Sequence, residues 1–153
     1  DEYLKLASDP VAAKELAQNC LPLESFLANE LKAGNLKADQ FHTVAKEVKI
    51  HAHCYQKALG NPSETFQILN LPKNYTVRLL NTGCCGMAGS FGYEKEHYEI
   101  SMQVGEERLF PAVRNAAAEV LIAANGTSCR HQILDGTQRE SLHPITILRR
   151  ALV

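Results

Sequence analysis

The sequence predicts an α/β fold: a small parallel sheet with flanking helices, preceded by N-terminal helices. Three observations predict it. Short β-type runs recur, and each is followed by a helix-type stretch. One run, Val120-Leu121-Ile122-Ala123-Ala124, is apolar throughout, as a strand buried on both faces is. The stretch before residue 48 carries no such run and reads as helix. Strand–helix alternation implies parallel strands joined by right-handed crossovers.

The elements follow in order. Asp9-Pro10 starts a helix, with Asp as cap and Pro at the first helical position. Val11, Leu16 and Cys20 mark its apolar stripe, and Cys20 is expected to be plain core, as free cysteines commonly are. Pro22 opens a second helix, where Phe26, Leu27 and Leu31 recur at helical spacing before Gly34 stops it. A polar connector runs from Ala33 to Thr43. Residues 1–47 thus read as a helical lead-in and residues 48–153 as the α/β unit, together one compact body. Val48-Lys49-Ile50-His51-Ala52-His53 alternates as a first strand and ends at Cys54. A short helix, Gly60-Asn61-Pro62 and a helix from Ser63 to Leu69 come next. Tyr75 to Leu80 is the second strand. A long helix is expected from about Glu96 to Ala117, kinked or split by Pro111. Val120 to Ala124 is the third strand, a helix begins near Ser128, and His143-Pro144 opens the last one, to Val153.

The chain has 153 residues, enough for one domain with a core of its own. Apolar residues make up 45% and charged residues 22%, an ordinary globular balance. A net charge of −1 gives no electrostatic basis for binding nucleic acid. No apolar run approaches the roughly 18 residues of a membrane span. With neither an initiator Met nor a signal peptide, the chain reads as an excised piece of a longer protein.

The informative segment is Asn81-Thr82-Gly83-Cys84-Cys85-Gly86-Met87-Ala88-Gly89. Thiolate is the soft ligand that selects iron–sulfur clusters, zinc or Cu(I), and flanking glycines let the backbone approach a bulky inorganic group. Five cysteines is an odd number, against a simple disulfide framework. Cys54 follows the first strand, Cys84 and Cys85 the second, and Cys129 the third. In open α/β sheets ligands bind at the carboxyl ends of strands. Helix N-termini begin there too, and their partial positive charge favours thiolate. Four sulfurs should thus meet at one edge of the sheet. Closely spaced C-x-x-C pairs, common in structural zinc sites, are absent. Adjacent cysteines suit a multi-iron cluster, although four cysteines serve zinc as well.

Cys54, then 29 residues, then Cys84-Cys85-Gly86, then 42 residues, then Cys129-x-x-Gln132 resembles the cysteine-rich CCG domain. That domain occurs in heterodisulfide reductase, in the iron–sulfur subunits of glycolate oxidase and anaerobic glycerol-3-phosphate dehydrogenase, and in FAD-linked 2-hydroxyacid dehydrogenases. The resemblance runs from Val48 to Val153 and includes Leu142-His143-Pro144-Ile145. It implies that Cys54, Cys84, Cys85 and Cys129 ligate an iron–sulfur cluster of the 4Fe-4S kind; the residues read as cofactor-binding beside them are His53, Gly83 and Gly86. It further implies electron transfer from FAD, carried by another domain or subunit, toward an acceptor such as a quinone. This domain alone would not oxidise the substrate. The expected location is cytoplasmic, peripheral at the inner membrane through partners.

One departure stands out. Heterodisulfide reductase motifs end in C-x-x-C, whereas Gln132 stands at the last position here, as in the hydroxyacid and glycerol-phosphate branches. The competing readings are a thiol–disulfide or heterodisulfide reductase module and a structural zinc domain that docks a partner. Among the other polar residues, His51 and His53 read as a half-exposed strand face, with His53 a candidate for hydrogen bonding a cluster sulfur. His131 reads equally as site lining or surface, His143 as a helix cap or packing residue, and Arg130 as a solvated helix residue or a counter-charge to several thiolates.

Overall fold

The computed structural model describes residues 3–153. Three strands form one parallel sheet in the order β2–β1–β3, with β1 at Lys46–His51, β2 at Tyr75–Leu79 and β3 at Leu121–Ala124. The α/β expectation holds. β1 is central: Ile50 pairs with Leu79 on one side and Ala123 on the other, and His51 pairs with Ala124. The helices are α1 (Tyr3–Leu6), α2 (Pro10–Asn19), α3 (Leu23–Lys32), α4 (Cys54–Leu59), α5 (Pro62–Leu69), α6 (Tyr98–Arg114), α7 (Thr127–Thr137) and α8 (Pro144–Arg150).

Local chemistry sets several boundaries. Asp9 accepts from the Val11 and Ala12 amides at 2.9 and 3.0 Å, and Pro10 takes the first helical position of α2. Asn61 caps α5 by accepting from the Ser63 amide at 3.0 Å, which places the helix start at Pro62 rather than Ser63. His143 caps α8 through its Nδ1, 3.2 Å from the Ile145 amide, as its reading as a cap anticipates. α8 closes at Arg150, short of Val153.

Each face of the sheet carries its own core, because alternate strand residues point to opposite faces. On one face Val48, Ile50, Val77 and Ala123 pack with Ile68 and Leu69 of α5 and Ile147 and Leu148 of α8. On the other, Ile122 and Ala124 pack with α6, with Ile133 of α7, and with Cys85 and Cys129. Phe110 of α6 is the largest buried side chain there. Its ring lies between two glycines: a Cβ added at Gly105 or Gly136 would stand 2.4 or 2.3 Å from its Cζ. Phe110→Ala should therefore lower stability by about 3–5 kcal/mol, as emptying a closely filled aromatic site does. Urea unfolding of the two proteins measures this.

Three expectations are corrected. Cys20 is exposed at the C-cap of α2, and Val11 and Leu16 are 77% and 52% exposed. The reason is that α2 contacts chiefly α1 rather than the sheet, and Ala13 is its buried residue. Pro111 does not split the long helix, which runs unbroken from Tyr98 to Arg114. The proline falls in the last turn, so only one interior amide is missing, and the carbonyl it leaves belongs to the exposed Glu107, where water can satisfy it. His51 is fully buried instead of half-exposed. It lies on a central strand covered on both faces. Among the described residues, no helix is long and apolar enough to cross a membrane.

Candidate metal centre

The parallel topology brings the C-terminal ends of all three strands to one edge, and the cysteines are there. Cys54 is the first residue of α4, directly after His53, whose Nδ1 accepts the Tyr55 amide at 3.2 Å and so starts the helix. Cys84 and Cys85 lie in the loop after β2. Cys129 is in the first turn of α7, after β3. Cys20, on the exposed end of α2, belongs to a separate part of the chain.

The sulfurs grade from inside to outside. Cys85 and Cys129 are buried with their Sγ atoms 3.3 Å apart, Cys84 is half-buried and Cys54 is exposed. A ring nitrogen of His51 joins the inner pair: its ligand atom and those of Cys85 and Cys129 all lie within 4.8 Å of one another. His51 Nδ1 is 2.7 Å from Thr82 Oγ1, and its Nε2 is buried with no hydrogen-bond partner.

The thiols are electrostatically linked. The hydrogen bond from Cys129 holds Cys85 well below the ordinary thiol range, against its burial, with help from His51 and the Met87 amide. Cys129 is held protonated for the complementary reason, sharing a proton with Cys85 in a buried place near Cys54 and Cys84. Burial, and then the neighbouring Cys84, push the Cys54 thiol up. The inner pair therefore carries one negative charge readily and further charge only with difficulty. Several thiolates here need a compensating cation, which is how metal binding displaces thiol protons.

Glycines and a buried polar lock shape the loop. Gly86 has φ +98°, and a Cβ there would stand 2.0 Å from the Ser101 carbonyl oxygen. Its own amide donates to Cys84 Sγ at 3.3 Å. Gln132 Nε2 donates to the Ser101 carbonyl and hydroxyl at 3.0 and 2.8 Å. Ser101 thus joins α6 to α7 under the cysteine loop. Gly126 is equally confined: a Cβ there would be 2.4 Å from His53 Cδ2 and 3.1 Å from Cys129 Sγ. His53 accordingly lies over the start of α7, close to Cys129. Gly83 has open space around it.

Sequence reasoning missed the inward role of His51, Thr82 beside it, and Gly126. It also missed Glu24 of α3, which is buried and accepts from Asn125 Nδ2 at 2.5 Å. The His143 Nε2 stands 3.5 Å from the same carboxylate, and burial pushes that imidazole below its usual range, partly opposed by Glu24. The lead-in is thereby tied to the loop that follows β3. A cavity of about 250 Å³ opens there, lined by Glu24, His53, Gln56, Leu59, Asn125 and Gly126 among others. Arg130 is not a solvated helix residue: its guanidinium donates to the Ala124 and Asn125 carbonyls at 2.9 and 2.7 Å, fixing the end of β3. His131 is exposed and 2.8 Å from the Tyr93 hydroxyl.

The chain is similar to one subunit of the anaerobic glycerol-3-phosphate dehydrogenase of Escherichia coli (strain K12), 31% identical over 106 residues, which is 69% of this chain and 26% of that subunit. It is similar to D-2-hydroxyglutarate dehydrogenase of the same strain, 31% identical over 127 residues, 80% of this chain and 12% of that enzyme. The Pseudomonas putida D-2-hydroxyglutarate dehydrogenase is 31% identical over 102 residues, 65% of this chain and 10% of that enzyme. The chain is a homologue of these dehydrogenases. It spans 26% of the first relative's length and 10–12% of the others. The expected kinship with oxidoreductases of the glycerol-phosphate and hydroxyacid type is met, and a CCG domain is consistent with it. No protein-family model matches the chain, and no solved structure does.

Proposed function

We propose that this chain is an iron–sulfur electron-transfer domain of an FAD-dependent 2-hydroxyacid dehydrogenase, of the glycolate, D-lactate or 2-hydroxyglutarate type. Cys54, Cys84, Cys85 and Cys129 are its cluster ligands in this reading. The observation that carries it is the meeting of Cys85 and Cys129 sulfurs 3.3 Å apart at the strand ends where Cys84 and Cys54 also lie. The residues fit the group: soft sulfur donors, a buried unpartnered His51 nitrogen and glycines that keep side chains out of the loop. A bound cluster would supply one-electron transfer between flavin on a partner domain or subunit and an acceptor such as a quinone.

This chain's residues would hold and insulate that centre. The Gly86 amide donates to the Cys84 sulfur, and the Met87 amide favours the thiolate form of Cys85. Met87 and the α6–α7 core exclude water from the inner side, while exposed Cys54 leaves the outer side open to a partner. Choice of substrate belongs to the flavin partner, as relatives bearing glycerol-3-phosphate and 2-hydroxyglutarate names accord with. In this reading the chain works at the cytoplasmic side, brought to the inner membrane through its partners. The heterodisulfide reading is disfavoured because Gln132, at the position of a fifth cysteine, is engaged with Ser101. The zinc reading keeps one observation in its favour, the compact group of His51, Cys85 and Cys129.

Anaerobic reconstitution with iron and sulfide decides between them. The expected result is broad brown absorbance, bleached by dithionite, and lost in parallel with bound iron on air oxidation. Protein that stays colourless yet binds one zinc per chain tightly overturns the iron–sulfur reading.

A further inference from the structure

His51 is fully buried, its Nε2 has no hydrogen-bond partner, and one of its ring nitrogens lies within 4.8 Å of the Cys85 and Cys129 sulfurs. Buried polar atoms are nearly always paired, so an orphan at a site edge points to something absent. Which nitrogen carries the proton can be settled by counting. Thr82 is buried, and its hydroxyl has one hydrogen-bond neighbour among the described residues, His51 Nδ1 at 2.7 Å. If Nδ1 held the proton and donated it, the Thr82 hydroxyl proton would have no acceptor. If the hydroxyl donates to a bare Nδ1, both groups are satisfied, and the proton sits on Nε2. That leaves Nε2–H as the free buried donor of a ring that stands beside Cys85 and Cys129.

We propose that His51 donates its Nε2–H to a sulfur of the bound centre, with Thr82 fixing the tautomer, and that this bond raises the centre's reduction potential. A donor toward sulfur offsets negative charge, which grows on reduction, so the reduced form gains more. Thr82 is the positioning residue: it touches no sulfur itself and acts through the ring. The lock is sound in its neighbourhood, since Lys57 Nζ donates to the Thr82 carbonyl at 2.9 Å and holds that residue in place. The effect on potential rests on the iron–sulfur reading, but the tautomer does not.

The test has two arms. In metal-free protein labelled with ¹⁵N-histidine, NMR should show His51 with Nε2 protonated and Nδ1 bare, and Thr82→Val should mix the two tautomers. His51→Gln identifies the signals by their loss. A His51 found with the proton on Nδ1 overturns the proposal. In the second arm, reconstituted wild type, His51→Leu, His51→Gln and Thr82→Val are titrated anaerobically. His51→Leu should shift the midpoint to more negative potential, Thr82→Val should shift it less in the same direction, and His51→Gln, which keeps a donor, should restore much of it. An unchanged midpoint in His51→Leu overturns the proposal. Should His51→Leu fail to fold, the near-isosteric Thr82→Val decides, and an unchanged midpoint there overturns it. Wild-type protein that never takes up a cluster sinks the iron–sulfur reading, while the metal-free spectrum still rules on the tautomer.

Discussion

Cys85→Ser should abolish the visible absorbance of the reconstituted protein and leave it folded, with its thermal melting lowered by only several degrees. Cys85 is the innermost sulfur of the loop, 3.3 Å from Cys129 and held near thiolate by its neighbours. A serine hydroxyl is a hard, weakly acidic donor and replaces a thiolate poorly on iron. The fold does not lean on the metal, because the two cores flank a sheet of apolar strands and fill without it. Zinc fingers behave in the opposite way, since their folding free energy comes from the ion. The buried hydroxyl itself should cost on the order of 1–2 kcal/mol. Cys20→Ser is the control: it is an exposed substitution at a helix end, expected to change neither spectrum nor melting. Loss of absorbance in Cys20→Ser, or an unfolded Cys85→Ser, would show that the cysteines are wrongly assigned.

Gly86→Ala should destabilise the protein by about 2–4 kcal/mol and disorder the cysteine loop. Two independent faults combine. Alanine at φ +98° is strained, and its methyl would stand 2.0 Å from a backbone oxygen, which cannot swing aside as a flexible side chain can. That oxygen belongs to Ser101 and accepts from Gln132, so relief by movement breaks the lock between α6 and α7. Gly83→Ala is the matching control. Nothing lies within 4 Å of its added methyl, so the change should stay within about 0.5 kcal/mol. Urea unfolding of both variants, with thiol reactivity of Cys85 as the local readout, tests the pair. Equal effects at the two positions would remove the special role of Gly86.

The parts legible in sequence were those written in local pattern. Strand periodicity, the Asp9-Pro10 and His143-Pro144 starts and the glycine-bracketed cysteines all depend on neighbours a few residues away. The parts that were not legible depend on strand order. Val48 and Ile50 mark one face of β1, so His51 must occupy the other, but only the central place of β1 makes that other face buried. The same reasoning explains Cys20. An apolar stripe says which side of a helix could pack, whereas α2 finds no sheet to pack on. Gln132 could be seen as an unusual residue at a cysteine position, yet its bond to Ser101 joins residues 31 apart in sequence. Gly126 had a usable signal, a glycine immediately before the helix that carries Cys129.

The four sulfurs stand on supports of unequal firmness. Cys85 and Cys129 are anchored in a packed core, but Cys54 opens a six-residue helix with no buried residue. So short a helix has little cooperative strength of its own, and what ties it down is polar: Gln56 Nε2 bonds Thr65 Oγ1 at 2.7 Å and Lys57 Nζ bonds the Thr82 carbonyl at 2.9 Å. The outermost sulfur therefore has the support that gives first, once those two bonds release, while the inner pair keeps its spacing. In the reading advanced above, the pocket has a rigid floor and a hinged door, and material would enter and leave on the Cys54 side. Such an asymmetry lets a centre be assembled in a finished protein, without the chain having to unfold around it.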